Sequence, residues 1–139
     1  MQTRQQRDAL LIHGQVKGVQ GGATTRYASV VYRFPILVRT NGLQQTLGFF
    51  EGKAAGDSGQ GERLFLEHLG QALGLVADVN LSSQVMNMDL EQYIWHSRRC
   101  LEVAIWYRRF VESILKIDIT EAMQDDVASS LDSEEHNDE

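Results

Sequence analysis

After Gly74 the chain contains no further glycine or proline. From Leu90 onward, one helical stripe recurs every three or four residues for about 26 residues. Its positions are Tyr93, Ile94, Ser97, Cys100, Leu101, Ala104, Tyr107, Phe110, Val111, Ile114 and Leu115. This is the period of a single helix face. A face this long has to be buried against other helices, so the segment sets the scale of a helical bundle. Asp89 stands where an N-cap belongs, with Gln92 three residues on, and Met88 can staple onto Tyr93.

The rest of the chain, 139 residues in all, fits one domain built around that helix. Residues 2–17 read as a first helix with Ala9, Leu10 and Leu11 as its stripe, and the glycine-rich stretch 18–22 stops it. Thr24 or Thr25 can cap a second helix, with Tyr27, Val30, Val31 and Phe34 on one face. Pro35 lacks an N–H and crowds the carbonyl four residues back, so a break or kink is expected near Phe34. A strand at 28–38 is the competing reading, because Val, Tyr and Ile favour strands. Asn41-Gly42-Leu43-Gln44 has the pattern of a capping box opening a third helix, which ends near Lys53. Residues 54–61 read as a loop, 62–73 as a fourth helix capped by Gly74, and 75–88 are ambiguous. The expected architecture is all-α: a compact bundle of five to six helices with a long C-terminal helix. The bundle takes residues 1–116, and residues 117–139 form an acidic tail too polar to order itself.

Charge divides at the same boundary. All thirteen Lys and Arg lie at or before Lys116, which leaves residues 1–116 at +3, while residues 117–139 carry nine acids and no Lys or Arg. The overall net charge of −6 therefore describes neither part. Ten of the thirteen cations are arginine. Its planar fork can grip a phosphate with two bonds, although such a ratio also follows from genomic base composition. From Lys17 to Phe50 there are four cations, Lys17, Arg26, Arg33 and Arg39, and no acid. This stretch is the first candidate surface for an anionic partner. Arg98, Arg99, Arg108 and Arg109 on the long helix form a second, tempered by Glu102 and Glu112 at i,i+4 from Arg98 and Arg108.

Catalytic lookalikes are weak. Gly56-Asp57-Ser58-Gly59 echoes a serine-protease segment, but that chemistry needs a larger β scaffold. Gly48 to Lys53 echoes a phosphate loop but is one residue short, has Ala54 in place of the metal-binding hydroxyl and follows no strand. His13, His68, His96 and His136 form no metal-ligand spacing. The single Cys100 excludes a disulfide framework and lies on the apolar stripe. No nucleophile, base and orienter assemble, so a non-enzyme without metal or cofactor is expected. No apolar run approaches the roughly 18–20 residues of a membrane span, and no signal-like region opens the chain. A cytoplasmic location is expected.

Tyr27-Ala-Ser-Val-Val-Tyr-Arg33-Phe34-Pro35-Ile36-Leu37-Val38-Arg39-Thr40-Asn41-Gly42-Leu43-Gln44-Gln45-Thr46-Leu47-Gly48-Phe49-Phe50 resembles the small helical subunit of type III-B CRISPR effector complexes, the Cmr complexes. That family shows a Tyr, a basic-Leu-Pro step and an Asn-Gly-Leu-x-Gln-(Thr/Ala)-Leu-x-Phe segment. Arg4 to Ala9, Leu66 to Leu69 and the stretch from Tyr93 to Phe110 are similar in the same sense, and Phe34 departs from the usual Leu. The resemblance implies a helical subunit without catalysis of its own. Copies would stack head to tail along a ribonucleoprotein filament, packed against the backbone subunits that hold the CRISPR RNA and against the large subunit. Their basic surfaces would line the channel for the guide RNA and its target RNA, touching phosphates and sugars while base pairing reads the sequence. The alternative is a helical adaptor that binds only protein. The acidic tail is expected to compete with nucleic acid for the cations, so that removing residues 118–139 tightens RNA binding at low salt.

Overall fold

A computed structural model of the chain describes residues 1–124. All secondary structure among them is helical. Helix α1 spans Arg4–Lys17, α2 Thr24–Asn41, α3 Leu43–Ala54, α4 Gln60–Leu73, α5 Leu81–Met86 and α6 Leu90–Phe110. A 3-10 turn, Gly21–Ala23, precedes α2. Helix α6 runs on into a π-helical stretch, Val111–Leu115, and a last helical segment occupies residues 119–124. No described helix is long and apolar enough to cross a membrane.

Helix α2 is the central element, packed on α3, α4 and α6. Its six consecutive residues from Tyr27 to Tyr32 are all buried, which requires neighbours on every side. Phe65 of α4 ties three helices together. Its ring meets Phe34 at 5.2 Å and Tyr27 at 6.0 Å on α2, and Tyr107 at 5.3 Å on α6, each edge to face. The close α2–α4 crossing depends on Gly61, where a Cβ would stand 2.7 Å from the Tyr27 nitrogen.

Three buried tyrosines find partners for their hydroxyls. Tyr107 donates to Gln15 Oε1 at 2.6 Å, and Gln15 Nε2 donates to the His68 carbonyl at 3.1 Å. Tyr27 Oη and His68 Nδ1 share a hydrogen bond of 2.8 Å. Tyr32 donates to the Ile117 carbonyl at 2.7 Å. Each bond crosses between elements, so the polar groups specify how the helices meet as well as satisfying one another.

Several local expectations change. Helix α2 continues through Pro35. An interior proline costs a helix about 3 kcal/mol, but Phe34 and Val38 are buried on either side of it, and that packing keeps the segment helical. The strand reading of 28–38 is thereby excluded. Asn41 ends α2 instead of capping α3. The turn is made by Gly42 at φ +85°, a conformation that favours glycine. Two residues on, Gln44 donates its backbone N–H to Tyr93 Oη of α6 at 3.4 Å. The capping box predicted at Asp89 and Gln92 is present, and Gly74 ends α4 in the left-handed conformation. The ambiguous stretch 75–88 contains the short helix α5, held to α3 by Glu51, which accepts from Ser82 N at 2.8 Å and Ser82 Oγ at 2.6 Å. Packing also continues past residue 116: Ile117 and Ala122 are buried, and Ala122 is fully so. Residues 125–139, the greater part of the expected acidic tail and the stretch that contains His136, lie outside the described residues.

Candidate nucleic-acid interface

The eight cations singled out from the sequence fall into three groups. Lys17 in the last turn of α1, Arg39 in the last turn of α2 and Arg98 on α6 are exposed and make no ion pair among the described residues. Arg33, Arg108 and Arg109 lie against aromatic rings. The Arg33 guanidinium sits 5.6 Å from the Phe49 centroid, Arg108 sits 5.4 Å from Tyr32, and Arg109 sits 5.5 Å from Trp106. Arg108 also meets Glu112 at 3.2 Å, the expected i,i+4 pair. Its position over Tyr32 brings α6 beside α2 one residue before Arg33.

Arg26 and Arg99 serve the protein's own packing. Arg26 pairs with the buried Glu62 and so ties α2 to α4. Arg99 is only 6% exposed. Its two terminal nitrogens meet the two Asp8 oxygens at 2.8 and 2.9 Å, a bidentate pair between α6 and α1. Nη1 also meets Glu102 at 2.9 Å, and Glu102 meets Arg4 at 3.1 Å. The hydrogen bond to Asp8 is the largest influence raising the Arg99 pKa, against an opposing burial effect. Arg99 is thus an internal cation, and Glu102 answers it instead of the expected Arg98. The sequence reading put all four arginines of the long helix, Arg98, Arg99, Arg108 and Arg109, on one candidate surface. Arg99 leaves that surface because α1 covers its side of α6.

Sequence reasoning also passed over Lys53 and Phe49. Lys53 Nζ lies 5.6 Å from the same Phe49 centroid that Arg33 approaches, so one exposed ring carries two cations. The legible signal was the i,i+4 spacing of Phe49 and Lys53 on the outer face of α3; the approach of Arg33 from α2 is tertiary.

The remaining features offer little chemistry. Burial pushes the Cys100 thiol up to about 12, so it is protonated and inert. Burial lowers the His68 pKa against the opposing effect of Glu67. A cavity of about 660 Å³ lies between α3, α4 and the 75–80 loop. Its Arg63 is held by the Ala54 and Gly56 carbonyls, and Glu51 is held by Ser82. No group of three metal-ligating side chains occurs among the described residues.

The comparisons with known proteins agree with this architecture. The family described as CRISPR-associated protein (Cas_Cmr5) matches residues 4–114. The CRISPR system Cmr subunit Cmr5 of Thermus thermophilus is 26% identical over 117 residues, which is 84% of this chain and 99% of the relative. The X-ray crystal structure of a CRISPR-associated Cmr5 family protein from the same organism superposes with a TM-score of 0.72 at 28% identity. The match covers 82% of this chain and 98% of that one. The family match takes in α1 through most of the π-helical stretch, and the solved relative shares the helical arrangement: the chain belongs to the Cas_Cmr5 family and is a small helical subunit of type III-B Cmr complexes.

Proposed function

We propose that this chain is a structural, non-catalytic component of the RNA-guided effector complex in the cytoplasm, meeting the phosphates of the guide and target RNA through basic surface. The observation that carries this reading is the acid-free stretch from Lys17 to Phe50, which displays Lys17 and Arg39 exposed, with Arg33 on its ring between them in sequence. A body of only +3 binds a polyanion weakly and in a salt-sensitive way when alone, and repetition along a filament multiplies the effect. Arg98, Arg108 and Arg109 supply the second surface. Arg26 and Arg99 act indirectly, by holding α2 and α6 in place.

Contacts with other complex subunits, and with further copies of this chain head to tail, fall to the apolar surface that the bundle leaves uncovered. Leu90, Ile94 and Ile105 are exposed on α6, and Leu10 and Leu11 on α1. The three α6 residues lie within about 60° of arc at 100° per residue, on one side of the helix. The same exposed apolar residues favour a second reading, an adaptor that binds protein and no RNA.

Filter binding of single-stranded RNA by the full chain across salt concentrations separates the two. The RNA reading expects weak binding whose logarithm falls linearly with the logarithm of salt. Replacing Lys17 and Arg39 by Glu should flatten the slope by about 1.4, from roughly 0.7 per lost single-strand contact, with the helical circular-dichroism signal intact. A wild-type chain with no binding and no salt slope is an adaptor. Competition by the tail is tested by removing residues 125–139, which carry seven acids and no Lys or Arg. A cut at 118 would remove the buried Ala122 as well. Tighter binding at low salt is expected, and unchanged affinity discards the competition.

A further inference from the structure

We propose that the seam between α1 and the end of α6 is a phosphate track for a single RNA strand. Arg109 is its fixed grip, Trp106 positions that grip, and His13 and Lys17 are the flanking contacts. The inference rests on the RNA reading above and joins in one place residues that the sequence assigned to two surfaces or to none.

Three rings line this seam. His13 of α1 meets Phe110 edge on at 5.2 Å, and Phe110 lies nearly parallel to Trp106, at 5.8 Å and 20°. Trp106 and Phe110 are half-buried and packed against the core, whereas His13, Lys17 and Arg109 are exposed. The Arg109 guanidinium sits 5.5 Å from the Trp106 centroid. Trp106 thus already carries Phe110 and Arg109, and it serves as a support for the cation, not as a platform for a base. A cation–π contact engages the guanidinium through its face, so the N–H donors around its edge stay free. The contact also holds a long side chain in place before any ligand arrives, which lowers the ordering cost of binding. Lys17 stands one turn beyond His13 on the same side of α1, and α1 packs on both α6 and the π-helical stretch that follows Phe110.

The acids near the seam are already engaged. Glu112, three residues from Arg109, pairs with Arg108 instead. Glu102 pairs with Arg4 and Arg99, and Asp8 of α1 pairs with Arg99. Neither Arg109 nor Lys17 makes an ion pair among the described residues. An arginine three residues from a glutamate has a ready helical partner; here that partner is taken, and a ring holds Arg109 in its place. The free edge of a guanidinium fits a phosphate with two parallel bonds. Arg109, His13 and Lys17 follow one another along two helices, a run of donors that favours a backbone with a charge on every unit. RNA supplies such a backbone whatever its sequence, which suits a subunit that meets phosphates while base pairing does the reading.

The test measures binding of a single-stranded RNA hexanucleotide to the full chain at low salt. Arg109→Gln should weaken binding about tenfold, the scale of one hydrogen-bonded contact to a charged group. Lys17→Gln should weaken binding of the same strand. Trp106→Leu should weaken it about threefold, the scale of an exposed cation–π pair, with the salt slope retained because Arg109 keeps its charge. In the Arg109→Gln background Trp106→Leu should have no further effect, and Trp106→Phe in the wild-type background should retain binding. A Trp106 that only supported the fold would weaken binding equally in both backgrounds. That result, or unchanged binding by Arg109→Gln or Lys17→Gln, overturns the track. The RNA reading then still stands if Arg39→Glu weakens binding. Poly-glutamate that binds as tightly as the hexanucleotide and loses the same affinity on Arg109→Gln makes the seam a docking site for acidic protein and overturns the RNA track. A wild-type chain that binds no RNA overturns both readings.

Discussion

Replacing Asp8 by asparagine removes the carboxylate that faces Arg99 across the α1–α6 contact. Both side chains are nearly buried, and both guanidinium bonds to Asp8 are short, at 2.8 and 2.9 Å. Breaking such a pair from one side costs about 3–5 kcal/mol, because a buried charge loses its partner. Glu102 remains 2.9 Å from Nη1 and is itself half-exposed, which softens the loss. The lower end, about 3 kcal/mol, is therefore expected. With a urea m-value of about 2 kcal/mol/M, the unfolding midpoint should fall by about 1.5 M. Circular dichroism of the helical signal against urea reads this directly. The double variant Asp8→Leu, Arg99→Met replaces the pair by apolar groups and should recover the midpoint to within about 0.5 M of wild type, since apolar replacement of a buried pair is often neutral. It should also bind RNA as wild type does, because Arg99 offers the surface no charge. A loss below about 1 kcal/mol for Asp8→Asn would refute the tie between α1 and α6. Impaired RNA binding by a stable double variant would return Arg99 to the interface.

Gly61→Ala drives a Cβ to 2.7 Å from the Tyr27 nitrogen and 2.8 Å from the Arg26 carbonyl carbon, both backbone atoms. A loss of about 2 kcal/mol, seen as a Tm about 6–8 °C lower, is expected, and an unchanged melt refutes the tight α2–α4 crossing. Tyr32→Phe leaves the Ile117 carbonyl without its 2.7 Å bond and costs about 1–3 kcal/mol. It should speed trypsin cleavage after Lys116, and an unchanged cleavage rate would show that Tyr32 does not hold this segment. His68 prefers the neutral form because of its burial. Stability from this site is full above the unfolded pKa, about 6.5, and is lost as pH falls below it, where the unfolded chain takes up the proton first. Urea midpoints at about pH 8 and pH 5.5 should differ more for wild type than for His68→Gln; equal differences refute the assignment.

Much of the fold is written in local spacing. The period of three to four, the capping box at Asp89 and Gln92 and the left-handed Gly74 depend on residues within a turn of one another, so α6 and the end of α4 were legible in advance. Pro35 shows where local reasoning stops. Its preference is to break a helix, and burial of the residues around it wins because packing energy comes from other helices, α3, α4 and α6, rather than from the turn that holds the proline. The Asn41 segment is similar: Gly42 makes the turn, but the hydroxyl beside the start of α3 comes from Tyr93, 49 residues away from Gln44.

Composition and order along the chain were enough to establish a helical protein whose cations all precede residue 117, with an acid-free stretch between Lys17 and Phe50. Which of those cations can meet a partner was decided only when the helices packed. The same charge is spent inside at Arg99, where Asp8 closes on it from α1, and stays outside at Arg39. A side chain's type is a local property, whereas its exposure and its counter-charge depend on which element folds over it. For that reason the Arg33–Phe49–Lys53 surface, assembled from two helices, became visible only in three dimensions.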